Sequence, residues 1–409
     1  MVSIGYKKLM RTLLAQLPLH RLSRFWSKTT IWIVTLLVII SLIIWSSYYG
    51  LHCRLPEEGS TPNLYANQTD DNLQRTFLKA IDGATSSITL YIYALSDNRL
   101  IHALKKKENQ GIPVKVFHDD STEQVGLRTL SDTTPIKMRG LMHKKILIID
   151  EEIVWIGSAN FTTASLRLHD NLVVGAICPE LAATILAGKS HHHFTIGGQM
   201  AEFWSFPETA AEGLDRLISL IDQANHTIRV GMFTWTHPKI TESIINAAKR
   251  GIRVEVVVDR AQTNGANKKS VDKLINSPVH VRINRGTELF HHKFVIIDDR
   301  LLINGSANWT KSAFGRNADC FLILHNLEKP QQKKLQRLWH VIRATSDPSL
   351  PDKEHFVIFW KRPGKVIDQK LQSVGMNPQL SHRFQYMIAR KNRLLFDILT
   401  LSSMWHQSI

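Results

Sequence analysis

The spacing of apolar and polar residues divides the 409-residue chain into a long uncharged run followed by two series of short segments. In each series, segments with apolar residues three or four positions apart alternate with β-branched runs such as ITLYIY (88–93) and IRVGMF (228–233). The first pattern is typical of amphipathic helices and the second of strands. The chain is therefore predicted to have an α/β fold in which helices cover sheets.

The two series are copies of one another. Residues 81–119 match residues 221–259 at a constant offset of 140, and residues 143–162 match residues 291–310 at an offset of 148. Two copies kept only for packing would repeat the apolar pattern, yet here polar residues are repeated too. We therefore predict two homologous halves that share one chemistry, at residues 73–200 and 201–346.

The flanking segments differ from the two halves. Residues 1–28 carry six Lys/Arg and no acid, and residues 348–409 carry nine Lys/Arg against four acids. Most of the net charge of +16 thus lies at the two ends. Such ends favour contact with a membrane surface first and with nucleic acid second. Residues 52–72 are predicted to be a polar linker, and residues 347–409 a basic C-terminal tail.

Residues 29–51 contain no charged side chain, and about 20 apolar residues suffice to cross a bilayer. A cleaved signal peptide is the alternative, but its apolar region is usually about 7–15 residues long and a small-x-small cleavage site should follow. We therefore expect an uncleaved transmembrane helix. Because the basic residues before it should stay in the cytoplasm, the catalytic region is expected on the non-cytoplasmic side.

Each copy contains a histidine, a lysine two residues later, an aspartate seven residues after the histidine, and then Gly-Ser-x-Asn. Residues two apart on a strand share a face, so histidine and lysine point the same way, whereas the odd spacing turns the aspartate away. The aspartates are thus expected to support the backbone. The residues are His143, Lys145, Asp150, Gly157, Ser158 and Asn160 in the first copy, and His291, Lys293, Asp298, Gly305, Ser306 and Asn308 in the second.

This set of side chains suits a phosphate. Lysine supplies charge, and the asparagines and serines can donate hydrogen bonds to phosphoryl oxygens. A neutral histidine can attack phosphorus, and a second, protonated histidine can give its proton to the departing alkoxide. One histidine cannot hold both states at once. The two halves are therefore predicted to face each other and to form a single site, in which catalysis rests on His143, His291, Lys145 and Lys293.

The paired HxKxxxxD and GSxN motifs resemble those of the phospholipase D superfamily over about residues 73–346. The resemblance implies two tandem α-β-α sandwich halves with pseudo-two-fold symmetry, here preceded by one transmembrane helix. It also implies cleavage of phosphodiesters through a phosphohistidine, with no metal or other cofactor. In the family the first motif often supplies the nucleophile, which would be His143.

Family members often continue each motif with an Asn-x-Glu triplet whose acid orients a histidine. The second copy has Asn317-Ala318-Asp319, and the first has His169-Asp170-Asn171, without the acid. Asp319 is thus expected to support one of the two catalytic histidines, and the sequence leaves open which one it contacts.

Three functions follow from these observations. The first is a membrane-anchored phospholipase D or phosphatidyltransferase that acts on phospholipids. The alternatives are a membrane-tethered nuclease with the same chemistry and, less favoured, a non-catalytic scaffold. The three cysteines are too few for a disulfide scaffold, and His191-His192-His193 is interpreted as a polar loop rather than a metal site. Oligomeric state is left open.

Overall fold

The structure is a computed structural model that describes residues 32–41, 53–122, 125–286 and 288–348. Residues 32–41 are helical, and large apolar side chains such as Trp32 and Leu36 are exposed there. The remainder of the predicted membrane span and both basic ends lie outside the described residues. Within the part that is described, no helix has both the length and the apolar character needed to cross a membrane.

The first half contains a seven-stranded mixed sheet with the order β1-β7-β6-β5-β2-β3-β4. Strands β2, β3 and β4 are parallel, and every other neighbouring pair is antiparallel. The strands are β1 (Asn63–Ala66), β2 (Ile88–Ile92), β3 (Val114–Asp119), β4 (Asp132–Ile136), β5 (Lys145–Ile149), β6 (Ile153–Gly157) and β7 (Leu172–Ile177).

The second half contains a nine-stranded sheet with the order β16-β12-β11-β10-β13-β14-β15-β9-β8. The strands are β8 (His191–Ile196), β9 (Gln199–Ser205), β10 (Thr227–Met232), β11 (Arg253–Val258), β12 (His280–Asn284), β13 (Lys293–Ile297), β14 (Leu301–Gly305), β15 (Cys320–Leu324) and β16 (Ser346–Pro348). Six strands, β10 to β15, repeat the order of β2 to β7. The predicted duplication is therefore present in the topology.

Two chain segments differ from the sequence-based boundaries. Strand β1 lies inside the stretch 52–72 that was expected to be a linker, and it pairs with the edge of the first sheet. Strand β8 lies before residue 201, yet it belongs to the second sheet through its pairing with β9. Both strands extend a sheet edge, and edge strands have no counterpart in the repeated motifs from which the boundaries were drawn.

Helices pack against both sheets. They are α1 (Leu73–Gly83), α2 (Asn98–Asn109), α3 (Thr163–Arg167), α4 (Pro179–Leu186), α5 (Ala210–Asp222), α6 (Pro238–Lys249), α7 (Arg260–Thr263), α8 (Lys268–Ile275) and α9 (Lys329–Ala344), with 3-10 turns at Asn67–Thr69 and Val125–Thr129. One outer core contains residues of α1, α2 and α3, and the other contains residues of α5, α6 and α8.

The inner faces of the two sheets share a third core. Apolar side chains of β5 to β7 pack there with those of β13 to β15, and α4 and α9 contribute to the same layer. Because both faces of β5 and β13 are covered, KILII and KFVII are buried at every position. The expected mixed α/β fold with two halves is confirmed. The inner partner of each sheet, however, is largely the other sheet rather than a helical layer of its own.

Asp150 and Asp298 begin the turns that follow β5 and β13, with φ of 56° and 54°. Asp150 accepts backbone N–H groups of Thr85, Ser86 and Ser87 at 3.0, 2.7 and 3.0 Å. Asp298 accepts the equivalent N–H groups of residues 225–227 at 2.7 to 2.8 Å. Each carboxylate thus binds the turn before β2 or β10, where the sequence predicted that these aspartates support the backbone.

We expect Asp150→Asn to lower stability by about 1 kcal/mol or more, because a charged acceptor of several N–H groups is replaced by an amide. Burial raises the pKa of Asp150, but these hydrogen bonds outweigh burial and lower it to about 2. A carboxylate whose pKa is lowered by folding stabilises the folded state above its unfolded-state pKa. This stabilisation is lost as the pH falls towards 2. Urea unfolding of wild type and variant should therefore differ at pH 7 and converge in acid.

Glu151→Gln is the matched control, since Glu151 lies in the same turn and is exposed. It should unfold like the wild type. If Asp150→Asn keeps wild-type stability yet loses enzymatic activity, the supporting role is wrong.

Candidate active site

The two histidine-lysine pairs lie in one buried place between the halves. The exposed fractions are 7% for His143, 3% for Lys145, 6% for His291 and 3% for Lys293. Lys145 and Lys293 are the first residues of the equivalent strands β5 and β13. The charge of each lysine acts on the histidine of the other half, so the four groups share one electrostatic environment.

Backbone hydrogen bonds that cross between the halves bring these pairs together. The N–H of His143 donates to the carbonyl of Ala318 at 2.8 Å, and the N–H of Ala318 donates to Leu141 at 2.9 Å. In the opposite copy, the N–H of Asp170 donates to Leu289 at 3.0 Å. Each histidine loop therefore lies against the segment that precedes β7 or β15 of the other half.

Asp319 contacts the histidine of the first half. Its Oδ1 lies 2.8 Å from Nδ1 of His143 and also accepts the hydroxyl proton of Ser306 at 2.7 Å. Its Oδ2 accepts the amide N–H of Asn317 at 3.1 Å. Burial raises the pKa of Asp319, but the contacts with His143, Lys145 and Ser306 outweigh burial and hold it below its ordinary value. An ionised carboxylate therefore orients His143.

Asn171 occupies the equivalent position for the histidine of the second half. Its Oδ1 lies 3.1 Å from Nδ1 of His291 and accepts the hydroxyl proton of Ser158 at 2.8 Å. Its Nδ2 donates to the carbonyl of Ser165 at 2.9 Å, which fixes the orientation of the amide. Since the amide oxygen can only accept, Nδ1 of His291 carries the proton and Nε2 is left for the site.

The structure corrects the expected role of the two motif serines. Ser158 and Ser306 were predicted to bind phosphate, but both are fully buried. Each hydroxyl gives its only proton to Asn171 or Asp319, and it accepts the backbone N–H of Leu172 or Cys320. No proton is left for a phosphoryl oxygen. The serines instead position the groups that orient the histidines.

The motif asparagines keep free amide groups. Oδ1 of Asn160 is buried and has no hydrogen-bond partner among the described residues, and Oδ1 of Asn308 accepts the N–H of Thr234 at 3.3 Å. Neither Nδ2 makes a hydrogen bond within that same part of the chain. These N–H groups could donate to a ligand, and the predicted binding of phosphate by the two asparagines stays a prediction.

Gly157 and Gly305 allow neighbouring strands to approach closely. A Cβ atom on Gly157 would lie 2.4 Å from the carbonyl oxygen of Leu172, and one on Gly305 would lie 2.3 Å from that of Cys320. Only glycine leaves β7 and β15 near enough for Asn171 and Asp319 to reach across.

Each lysine is held by its own histidine loop and an aromatic ring. Lys145 donates to the carbonyl of His143, and Lys293 donates to that of His291 at 3.0 Å. Nζ of Lys145 lies 5.2 Å from the ring centroid of Tyr93. Nζ of Lys293 lies 5.1 Å from that of Phe233. These contacts hold each lysine side chain in the buried site, where the charge of Lys145 acts on Lys293.

Burial lowers the pKa of the lysines and histidines of the site, so the binding of an anion would change their protonation. It lowers the pKa of Lys145 to about 7, and burial together with Lys145 lowers the pKa of Lys293 well below its usual range. Burial and Lys145 also lower the pKa of His143, although Asp319 opposes them. Burial, Lys293 and Lys145 lower the pKa of His291 further, because neutral Asn171 supplies no compensating charge. A bound phosphate would favour the protonated form of the two lysines and of His291.

Sequence reasoning missed several residues that complete the site. Asp119 accepts the N–H of Met142 at 2.6 Å, and Asp259 accepts that of Phe290 at 2.9 Å, so each carboxylate holds the loop before a motif histidine. Tyr93 and Phe233 were not identified either. The sequence could have revealed them, because Asp119 with Asp259 and Tyr93 with Phe233 recur at the offset of 140 that defines the duplication.

The three consecutive histidines form strand β8 rather than the predicted loop. Ligand atoms of His191, His193 and Glu202 lie within 4.8 Å of one another, and these residues could hold a metal ion. However, Arg216 contacts both oxygens of Glu202 at 3.0 and 2.6 Å, and His325 contacts Oε1 at 2.7 Å. The carboxylate of Glu202 is thus already paired with Arg216 and His325. We interpret the cluster as a structural ion pair rather than a metal site.

Comparisons with known proteins agree with this geometry. The chain matches the family model described as "Cardiolipin synthase, PLD-like domain" over residues 77–187 and 217–339. It is 25% identical over 227 residues to a mitochondrial cardiolipin hydrolase of Chlamydomonas reinhardtii, which covers 54% of this chain and 98% of that protein. It is 29% identical over 137 residues to a phospholipase D of Rickettsia felis, which covers 33% and 68%.

One solved structure supports the fold over most of the chain. The phosphatidylserine synthase of Haemophilus influenzae Rd KW20 aligns with a TM-score of 0.56 and 13% identity, covering 82% of this chain and 94% of that one. The duplicated motif, the crossed histidine loops and the family match agree. The chain therefore belongs to the phospholipase D superfamily of phosphodiesterases and phosphatidyltransferases, with the PLD-like domain matched once in each half.

Proposed function

We propose that this protein cleaves the phosphodiester of a membrane phospholipid through a covalent phosphohistidine on His143. One observation carries the proposal: a single buried site holds two histidines, and a carboxylate orients only one of them. Attack by Nε2 of His143 on phosphorus leaves a proton on Nδ1, so the ring becomes cationic. Asp319 stabilises that charge, as a carboxylate does for a catalytic imidazolium.

His291, which lies beside the amide of Asn171, suits the role of general acid. As the bond between phosphorus and the leaving oxygen breaks, Nε2–H of His291 gives its proton to that oxygen. Asn171 offers no negative charge to hold the proton, which makes His291 a stronger acid than His143. In the second step His291 removes a proton from water or an alcohol, whose oxygen bonds to phosphorus as the bond to His143 breaks. Both histidines then return to their starting states.

The remaining predicted residues bind the phosphate. Lys145 and Lys293 balance its charge, and the N–H groups of Asn160 and Asn308 donate to its oxygens as charge develops there. Two relatives are named as a cardiolipin hydrolase and a phospholipase D, which supports a phospholipid substrate for this chain. We take a cardiolipin-type phospholipid as the first substrate to test.

In the assay, purified protein is incubated with labelled cardiolipin in mixed micelles and, separately, with labelled single-stranded DNA. Each incubation is run with and without EDTA. We expect cleavage of the lipid and no cleavage of the DNA. The rate should not change with EDTA, because histidine, lysine and asparagine supply the chemistry without a carboxylate cluster for a metal. His143→Ala protein is the control for contaminating activity.

Preferred cleavage of DNA would support a nuclease instead. Loss of activity on chelation that a divalent ion restores would contradict the metal-independent mechanism.

Trapping of the intermediate tests the two histidine roles. With a substrate whose leaving group needs no proton, such as phosphatidyl-p-nitrophenol, His291→Ala should still form phosphohistidine. His143→Ala should form none, because it lacks the nucleophile. Acid-quenched protein would be assayed for label from the phosphatidyl group. Label on His143→Ala but not on His291→Ala would exchange the two roles.

We also propose that residues 29–51 anchor the protein in a membrane, with residues 1–28 in the cytoplasm. The support is the uncharged sequence, the exposed apolar side chains of residues 32–40 and the basic residues before them. A basic C-terminal tail would add contact with anionic lipid.

Protease added to intact cells or spheroplasts should therefore degrade the part of the protein after the anchor. A cytoplasmic marker protein should stay intact in the same sample. Full protection of the catalytic region, with an exported marker degraded, would reverse the orientation.

A further inference from the structure

The two places where loops of the halves cross differ in charge. At the first crossing, residues 137–144 lie against residues 311–318, and at the second, residues 285–292 lie against residues 163–170. These segments correspond at the offset of 148, yet the first crossing has five Lys/Arg and no acid, and the second has two Lys/Arg and two acids. The basic residues of the first crossing are Lys137, Arg139, Lys144, Lys311 and Arg316.

Two arginines of the first crossing are exposed and lie on adjacent chain segments. The N–H of Gly140 donates to the carbonyl of Arg316 at 3.1 Å, and a Cβ atom on Gly140 would lie 3.0 Å from that oxygen. Both Arg139 and Arg316 are exposed. Arg316 donates to the neutral hydroxyl of Ser312 at 2.8 Å, and no acid pairs with either guanidinium within the part of the chain that is described. Their positive charge is thus available to a partner.

Apolar side chains alternate with the basic ones along this loop. Residues 137–141 read Lys-Met-Arg-Gly-Leu, and Met138 and Leu141 are only partly buried. At the second crossing Gly286 takes the place of Met138, and Leu168 that of Arg316. A membrane surface accepts both kinds of side chain, cations at the headgroups and apolar groups just below them.

The first crossing forms the rim of the site on the side of His143. The site lies at the edge of the first sheet where β2 ends and β5 begins, and residues 137–144 join β4 to β5 at that edge. Arg139 precedes His143 by four residues, which span at most about 14 Å. In the proposed mechanism the phosphatidyl group becomes bonded to Nε2 of His143 while its acyl chains stay in the bilayer. The membrane surface then lies close to this rim.

We propose that the first crossing is the surface by which the catalytic part docks on an anionic membrane. Its cations bind lipid headgroups, and Met138 and Leu141 enter the layer below them. The proposal rests on the function proposed above and adds the partner, a surface of negatively charged lipid. A polynucleotide carries phosphates on both sides of the scissile one, whereas the second crossing has no excess of positive charge. The charge distribution therefore favours lipid over nucleic acid.

A fluorescent label tests the docking without any catalysis. Met138→Cys is labelled with the polarity-sensitive dye NBD in a full-length protein that also carries Cys53→Ser and His143→Ala, because the other two cysteines are buried. The protein is reconstituted in phosphatidylcholine nanodiscs with and without phosphatidylserine. Spin-labelled lipid should quench the dye, and phosphatidylserine should increase the quenching. Gly286→Cys, the equivalent exposed position of the second crossing, is the matched control and should be quenched less.

The kinetic test uses Arg139→Gln and Arg316→Gln in the otherwise wild-type chain. For cardiolipin in the nanodiscs, each variant should lower kcat/KM by about fivefold, the change expected from one basic residue at an anionic surface. High salt should lower the wild-type value in the same direction. Short-chain phosphatidyl-p-nitrophenol below its micellar concentration should be cleaved at the wild-type rate, since the catalytic groups are intact.

Two controls accompany the kinetics. Replacing both arginines by lysine should keep most of the activity on the membrane, because the charge remains. Lys249→Gln removes an exposed cation at the end of α6, which lies at the opposite edge of its sheet, and should have no effect.

Four results would overturn the docking surface. The first is equal quenching at positions 138 and 286, and the second is quenching at position 138 that Arg139→Gln and Arg316→Gln leave unchanged. The third is an equal loss of activity on membrane and short-chain substrates. The fourth is a loss confined to single-stranded DNA, which would assign the surface to nucleic acid. If the wild type cleaves no lipid, the proposed function fails, while the quenching still decides whether this surface meets the membrane.

Discussion

The hydrogen bond between Asp319 and His143 is the contact on which the arrangement of the site depends. It joins residues 176 positions apart and lies in a place where neither side chain reaches much solvent. A buried carboxylate is costly unless it is paired and hydrogen-bonded. Ser306 and Asn317 complete its partners, and the backbone pairing of Ala318 with Leu141 fixes its distance. These contacts tie the two halves together at this point.

The proposed reaction is not symmetric, although the scaffold that carries it is duplicated. The strands, the glycines and the aspartates of the turns are equivalent in both halves, since they serve folding. The differences lie around the two imidazoles, where Asp319 is matched by Asn171 and Asn317 by His169. A carboxylate favours a cationic ring, and an amide does not. In the proposed mechanism, this small number of substitutions within the repeat makes one histidine the nucleophile and the other the acid.

The closed interface also explains the state of the lysines. Each ammonium is bound to a carbonyl of its own loop and lies over an aromatic ring, within a layer built from the inner faces of the two sheets. Burial of two like charges together costs free energy, which the negative charge of a phosphodiester offsets on binding. Substrate binding therefore favours the charged form of both lysines.

The sequence alone determined which residues share a chemistry, because strand periodicity sets which side chains point the same way. It placed each HxK pair on one face, turned Asp150 and Asp298 towards the backbone, and marked Asp319 as the unmatched acid. It did not determine that Asp319 contacts His143, that Ser158 and Ser306 give their protons to Asn171 and Asp319, or that His191–His193 form an edge strand. The first outcome depends on how the two sheets pack, because His143 and Asp319 lie 176 positions apart and in different halves. The others are contacts within one half, between each serine and a residue 13 positions later and between β8 and β9. They too follow from which strands become neighbours, and the spacing of residues along the chain does not determine that.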